Sequence, residues 1–199
     1  RCELTSFQDF PVLEWVLRFK NDAQEDTPLL EEVLSLDGEI TAADGGDFLL
    51  HRALGSDAQK DDFAPVDESL SPHKRVNFAP IGGRSSNRTA LPFFNIEFPK
   101  GGGLIIAIGW SGQWAISFAR DEGPSLRMRA GMELTHLKLH GGEEIRTPRM
   151  LLLFWRGDDY LLGHNLLRRF ILAHLMPKKE VRPVTLPFAC SSSPLYDEA

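Results

Sequence analysis

The sequence predicts a mainly β protein: an antiparallel sandwich that hands over to one amphipathic helix and then to the first strand of another domain. Three observations carry this. Between Ala90 and Trp155, short apolar or alternating runs are punctuated by glycine-rich turns. After Asp159 the hydrophobic period changes from two to about 3.6. Beyond Pro177 a short basic linker leads into a fresh apolar run, Val184 to Cys190.

The elements follow in order. Residues 1–20 hold two strands around the Asp9-Phe10-Pro11 break. In the second, Trp15, Leu17 and Phe19 alternate with Val16, Arg18 and Lys20, the pattern of a half-buried antiparallel strand. Asn21 to Thr27 is a polar turn, and Leu29 to Leu36 suits strand or helix. Phe48 to Ala53 is a short strand. From Gly55 to Pro72 the chain turns polar over a length that exceeds a hairpin turn, and long loops in compact domains are functional or disordered. Ile81 to Asn87 is a second, glycine- and serine-rich loop.

Ala90 to Phe98 resumes as strand, interrupted by Pro92. Leu104 to Ile108 and Trp114 to Phe118 read as a hairpin joined through Gly109-Trp110-Ser111-Gly112-Gln113. Leu126 to Arg129 and Met132 to Leu139 follow as short alternating strands, then a Gly141-Gly142 turn. Met150 to Trp155 is continuously apolar, as in a strand covered on both faces. Leu162, Leu166 and Phe170 form one stripe and Leu167, Ile171 and Leu175 its neighbour, which predicts a helix from about Asp159 to Leu175, stopped by Pro177.

Length and composition set the outer limits. A chain of 199 residues can bury one large core or two small ones. Its 42% hydrophobic and 25% charged residues are ordinary for a globular protein. A net charge of −6 without a lysine/arginine cluster argues against nucleic acid as a partner. No apolar run approaches the roughly 18 residues of a membrane span, so no membrane is expected either. Cys2 and Cys190 are too few for a disulfide framework. Both are expected to be buried reduced thiols, which favours a cytoplasmic setting. With no initiator Met or signal peptide, and Arg1-Cys2-Glu3-Leu4 already reading as strand, the chain is expected to be a fragment cut at both ends.

The chemistry-bearing residue types form few patterns. His136 and His140 are four apart, but the segment reads as strand and no HExxH is present, so two surface histidines are expected. His164 and His174 fall on different faces of the helix and cannot chelate together. Neither Gly82-Gly83-Arg84-Ser85-Ser86 nor Gly101-Gly102-Gly103 has a phosphate-cradling spacing. Trp114 fits the core register with Ile116 and Phe118. Trp110, at the turn, is a candidate for stacking on a sugar ring. The acidic 55–72 loop reads as a solvated surface or as a source of sugar ligands.

Several segments together, in order, resemble the N-terminal domain of glycoside hydrolase family 36, the α-galactosidases. They are DFPVLEWVLRFKN, DTPLLEEVLSLD, GGRSSNRTALPFFNIEFP, GWSGQW, AGMELTHLKLHGGEEIRTPRMLLLFW and GHNLLRRFILAHLMP. The resemblance implies an antiparallel β-supersandwich over residues 1–158. A linking α-helix and linker would occupy 159–182, and the first strand of a catalytic (β/α)8 barrel 183–199. It implies a retaining glycosidase that needs no cofactor, whose two catalytic aspartates lie beyond Ala199, so the fragment alone is expected to be inactive. The implied partner is an α-galactoside oligosaccharide, and the full-length parent is expected to be a homo-oligomer. One loop of the family's sandwich reaches the sugar pocket, often with an aromatic residue. By order it corresponds to His51 to Phe63, which names Ser56, Asp57 and Asp62 as substrate-binding candidates, although Leu54 to Phe63 holds no tryptophan. The end of the first barrel strand adds Cys190 and Ser191. A stand-alone carbohydrate-binding sandwich and a non-catalytic oligomerisation domain are the alternatives.

Overall fold

The computed structural model describes residues 1–42, 45–179 and 182–183. Among the described residues, fourteen strands precede the helix: β1 (Cys2–Ser6), β2 (Val12–Lys20), β3 (Leu30–Glu31), β4 (Leu34–Thr41), β5 (Phe48–Ala53), β6 (Pro65–Leu70), β7 (Arg75–Phe78), β8 (Phe93–Glu97), β9 (Gly103–Gly109), β10 (Trp114–Arg120), β11 (Ser125–Met132), β12 (His136–Leu137), β13 (Glu144–Arg146) and β14 (Arg149–Trp155). They form a large antiparallel sheet in the order β1-β2-β14-β9-β8-β5-β6, with β13 also on β2, and a small one in the order β4-β11-β10-β7.

The two sheets bury one core between them. Phe48, Leu50, Phe94, Ile96 and Ile106 from the large sheet meet Trp114, Ile116, Phe118, Leu126 and Met128 from the small one. Phe94 sits edge-on to Trp114, ring centroids 5.8 Å apart. Fully burying each such side chain stabilises by roughly 1.5–3 kcal/mol, against about 0.5–1.5 for a net hydrogen bond, so packing decides how the layers mate. The Trp15 indole Nε1 donates to the Ser35 carbonyl at 2.8 Å and ties β2 to β4.

A second cluster covers the outer face of the large sheet. Val12, Ile105, Ala107, Leu151, Leu153 and Trp155 pack under α1 (Leu161–Phe170) through Phe170. This explains the unbroken apolar runs Leu104 to Ile108 of β9 and Met150 to Trp155 of β14: Leu104, Ile106, Ile108 and Met150 face the sandwich core, while Ile105, Ala107, Leu151 and Leu153 face the helix.

Several sequence-based expectations need correction. Leu104 to Ile108 and Trp114 to Phe118 are not a hairpin. β9 pairs with β8 and β14 in the large sheet, and β10 with β7 and β11 in the small one, so residues 110–113 are an arch between layers. The polar stretch 55–72 is not one loop: β6 pairs along the whole of β5 as an edge strand, its Asp67 and Glu68 suiting an edge. β7 is unforeseen. Of Met132 to Leu139, Met132 ends β11 and only His136–Leu137 forms a further strand, paired with Leu30–Glu31. Cys2 is exposed rather than buried, because all of β1 is an exposed edge strand. The helix is shorter than expected: regular α-helix ends at Phe170 and a wider π turn carries Ile171–Leu175, with Leu162, Leu172 and Leu175 exposed. Val184 to Cys190 lies outside the described residues.

Candidate functional site

The loop between β5 and β6 is built around one carboxylate. The Ser56 hydroxyl donates to Asp62 Oδ2 at 2.6 Å, and the backbone N–H groups of Asp57 and Gln59 donate to Oδ1 at 3.0 and 3.2 Å. Those bonds, the Ser56 hydroxyl first, hold the Asp62 carboxyl below the usual aspartate range. Leu54 N–H closes the loop on the Ala64 carbonyl at 2.9 Å. Two residues pass through the left-handed region, Ala58 at φ 56° and Phe63 at φ 63°. Phe63 stands 57% exposed.

Three loops join into one rim at this end of the sandwich. Gly55 and Ser56 donate to the carbonyls of Arg88 and Ser86 at 3.1 and 2.8 Å. A side chain at Gly55 has no room: its Cβ would lie 2.3 Å from the Ser86 carbonyl oxygen. Arg88 Nη1 reaches Asp57 Oδ2 at 3.5 Å. The same 80–90 loop bonds the arch, since Gly83 N–H donates to Gln113 Oε1 at 3.0 Å and the Trp114 indole to the Ser85 carbonyl at 2.8 Å. Gln113 Nε2 also donates to the Pro80 carbonyl.

The structure therefore brings Ser56, Asp57 and Asp62 together and sets Trp110 on the arch of the same rim. The three differ in what they have left to offer. Asp62 spends both oxygens on its own loop, whereas the Asp57 carboxylate is exposed and, among the described residues, meets only Arg88. Trp110 is half-buried, with the Arg146 guanidinium 5.1 Å from its ring centroid. Trp114 is a fully buried core residue, as expected. Cys190 and Ser191 lie outside the described residues.

Sequence reasoning passed over Phe63 and Arg88. Phe63 was legible as the one aromatic residue in the polar run 54–63. Arg88 was not, because the bonds that seat the 80–90 loop on the 54–64 loop run through backbone atoms.

Elsewhere, no cluster of three or more metal-ligating side chains occurs among the described residues. His136 pairs with Glu31 at 2.8 Å and His140 with Asp26 at 2.6 Å, so each imidazole pins a different pair of segments. The Asp26 carboxylate raises the His140 pKa. No helix among the described residues is long and apolar enough to cross a membrane.

No protein-family model matches the chain, and no curated protein does. Solved structures do. The α-galactosidase from Lactobacillus brevis matches 85% of this chain at 17% identity with a TM-score of 0.70, using 22% of its own length. A substituted GH36 α-galactosidase AgaA from Geobacillus stearothermophilus, in complex with stachyose, matches 84% at 18% identity and a TM-score of 0.65, using 24%. The galactosidase domain of the α-galactosidase-sucrose kinase AgaSK matches 72% at 20% identity and a TM-score of 0.60, using 20%. The chain spans less than a quarter of each of these proteins and has the fold of that portion of the GH36 α-galactosidases.

Proposed function

We propose that this chain is the N-terminal β-supersandwich and linking helix of a family 36 retaining α-galactosidase, and that its 54–64 loop helps to close the sugar pocket of the intact enzyme. The observation that carries the reading is the fold shared with α-galactosidase structures over 72–85% of the chain. The loop's construction supports the second half. It is ordered by Asp62 rather than left loose, and it presents Asp57 and Phe63 outward. A short carboxylate accepts from sugar hydroxyls, and an exposed ring can cover the apolar face of a pyranose. Asp62 and Ser56 act here by shaping the loop. Cys190, Ser191 and Trp110 belong to the reading by resemblance and by position on the rim. The catalytic aspartates belong to the rest of the parent, which acts on α-galactoside oligosaccharides and assembles as a homo-oligomer.

The test is kinetic. In the full-length parent, Asp57→Ala and Phe63→Ala each lower kcat/KM for raffinose about tenfold, roughly 1.4 kcal/mol of transition-state binding, at unchanged Tm. The isolated 199-residue chain turns over no aryl α-galactoside. Wild-type kinetics in both variants, or turnover by the isolated chain, would overturn the assignment.

A further inference from the structure

The outer face of the small sheet carries a trough of about 380 Å³ that the 54–64 loop does not enter. It arises from the sequence of β10. That strand sends Trp114, Ile116 and Phe118 into the core, so its outward residues are Ala115, Ser117 and Ala119, all short. Taller side chains rise from the strands on either side.

Register puts polar groups in one row. Ser117 lies directly opposite Asn77 on β7 and Arg129 on β11. The adjacent row is low and apolar, Ala115 opposite Gly131, which in turn pairs with Leu34 beyond a bulge at Ala130/Gly131. Gly131 itself cannot carry a side chain, because its Cβ would lie 2.5 Å from the Val33 carbonyl oxygen. Glu32 and Glu133 stand at the end of the trough.

These polar groups are unspent. Among the described residues the side chains of Asn77, Ser117, Glu32 and Glu133 have no hydrogen-bond partner. Arg127 takes both oxygens of Asp37 at 3.0 Å, which leaves Arg129 at 3.6 Å with donors free.

We propose that this trough binds a neutral oligosaccharide. Sugar hydroxyls both donate and accept, and the row offers both: carboxylates that accept, a guanidinium that donates, an amide and a hydroxyl that do either. The Ala115–Gly131–Leu34 row suits the apolar C–H face of a ring. A protein partner would want aromatic or large apolar anchors at the centre. Of the large apolar residues lining this trough, Phe78 and Ile116 pack into the core, and the outward residues of β10 are short. A phosphate backbone would meet two carboxylates against one cation. Neighbouring strands are about 4.8 Å apart, so a row across four strands spans about 14 Å, the length of a short oligosaccharide rather than a single sugar. The proposal rests on the trough alone and stands apart from the reading of the 54–64 loop.

The test is a titration of the ¹⁵N-labelled full chain with stachyose and, separately, maltotetraose, followed by amide chemical shifts. At least one of them is expected to give saturable shifts at Asn77, Ala115, Ser117, Arg129 and Gly131. Asn77→Ala weakens that binding about tenfold, the worth of one or two hydrogen bonds. Ser117→Trp fills the trough and abolishes the shifts at unchanged Tm, since residue 117 points away from the core. Absence of saturable shifts at those amides with both sugars overturns the proposal, as does unchanged binding in both variants. Shifts confined to residues 54–64 overturn it while leaving the loop reading intact.

Discussion

The imidazole of His51 lies flat beneath the ring of Tyr160, centroids 3.9 Å apart and planes 9° from parallel. His51 is buried on β5, and its two nitrogens reach Asp67 on β6 at 2.8 Å and Glu97 on β8 at 3.0 Å. Tyr160 is the residue just before α1, and its carbonyl accepts from Asn95 Nδ2 at 3.2 Å. The start of the helix is thus fastened to the sheet by a stack and a hydrogen bond, on top of apolar burial.

Removing the ring should loosen that fastening. Tyr160→Ala is expected to lower stability by about 1–3 kcal/mol, while Tyr160→Phe, which keeps the stack, changes little. Urea midpoints of the two variants check it. Equal midpoints would mean that the ring contributes nothing to docking the helix.

Gly163 gives a sharper case, because two effects oppose. Alanine in place of a helical glycine normally gains about 1 kcal/mol. Here the new Cβ would lie 2.6 Å from Trp155 Cδ1. The indole cannot retreat, since Gly103 meets its other edge, where a Cβ would lie 2.5 Å from Cζ2, and its Nε1 is bonded to Asn95 Oδ1 at 2.8 Å. The clash wins: Gly163→Ala is expected to destabilise and to red-shift the fluorescence of Trp155 as the helix lifts. A stabilised variant would contradict this packing.

Gly55→Ala tests the rim in the same way. The new methyl carbon would sit 2.3 Å from the Ser86 carbonyl oxygen, so the 54–64 and 80–90 loops must part. The expected loss is about 1–3 kcal/mol, with amide shift changes centred on residues 54–64 and 85–88.

The loop should also respond to acid. The Asp62 pKa is lowered in the folded chain, chiefly by the Ser56 hydroxyl and then by the Asp57 N–H. A depressed carboxyl contributes stability above its unfolded pKa and loses that contribution as pH falls through the folded value. Hydrogen-exchange protection of the Asp57 and Gln59 amides is therefore expected to be flat near neutrality and to fall only below the ordinary aspartate range. Asp62→Asn should lower it wherever the wild-type carboxyl is ionised and converge with the wild type in acid. Protection that is equal in Asp62→Asn would show that the carboxylate does not order the loop.

The sequence disclosed what periodicity can disclose. Phe48–Ala53 stands as β5 with the bounds its apolar run suggests, Met150 to Trp155 is a central strand, and Trp114 is core. The β9–β10 connection misled because a short glycine-containing link between two apolar runs looks the same whether it turns within a sheet or crosses between sheets. A distinguishing signal was present: Leu104 to Ile108 is apolar throughout, so both its faces are covered, whereas Trp114 to Phe118 alternates, so one is not. β6 was hidden because Asp67 and Glu68 mask the alternation of an edge strand. The candidate site was legible in its acidic and hydroxyl residues. What each does was not, because Asp62 is distinguished from Asp57 only by the backbone amides folded around it.

The placement of β14 has a mechanical side. β14 lies inside the large sheet, bonded to β2 on one flank and β9 on the other, and α1 begins only a few residues after it. A pull on the helix enters the sheet along an interior strand. It loads two ladders in shear at once, where an edge strand would be peeled away bond by bond. The helix is thereby held on a stiff mount.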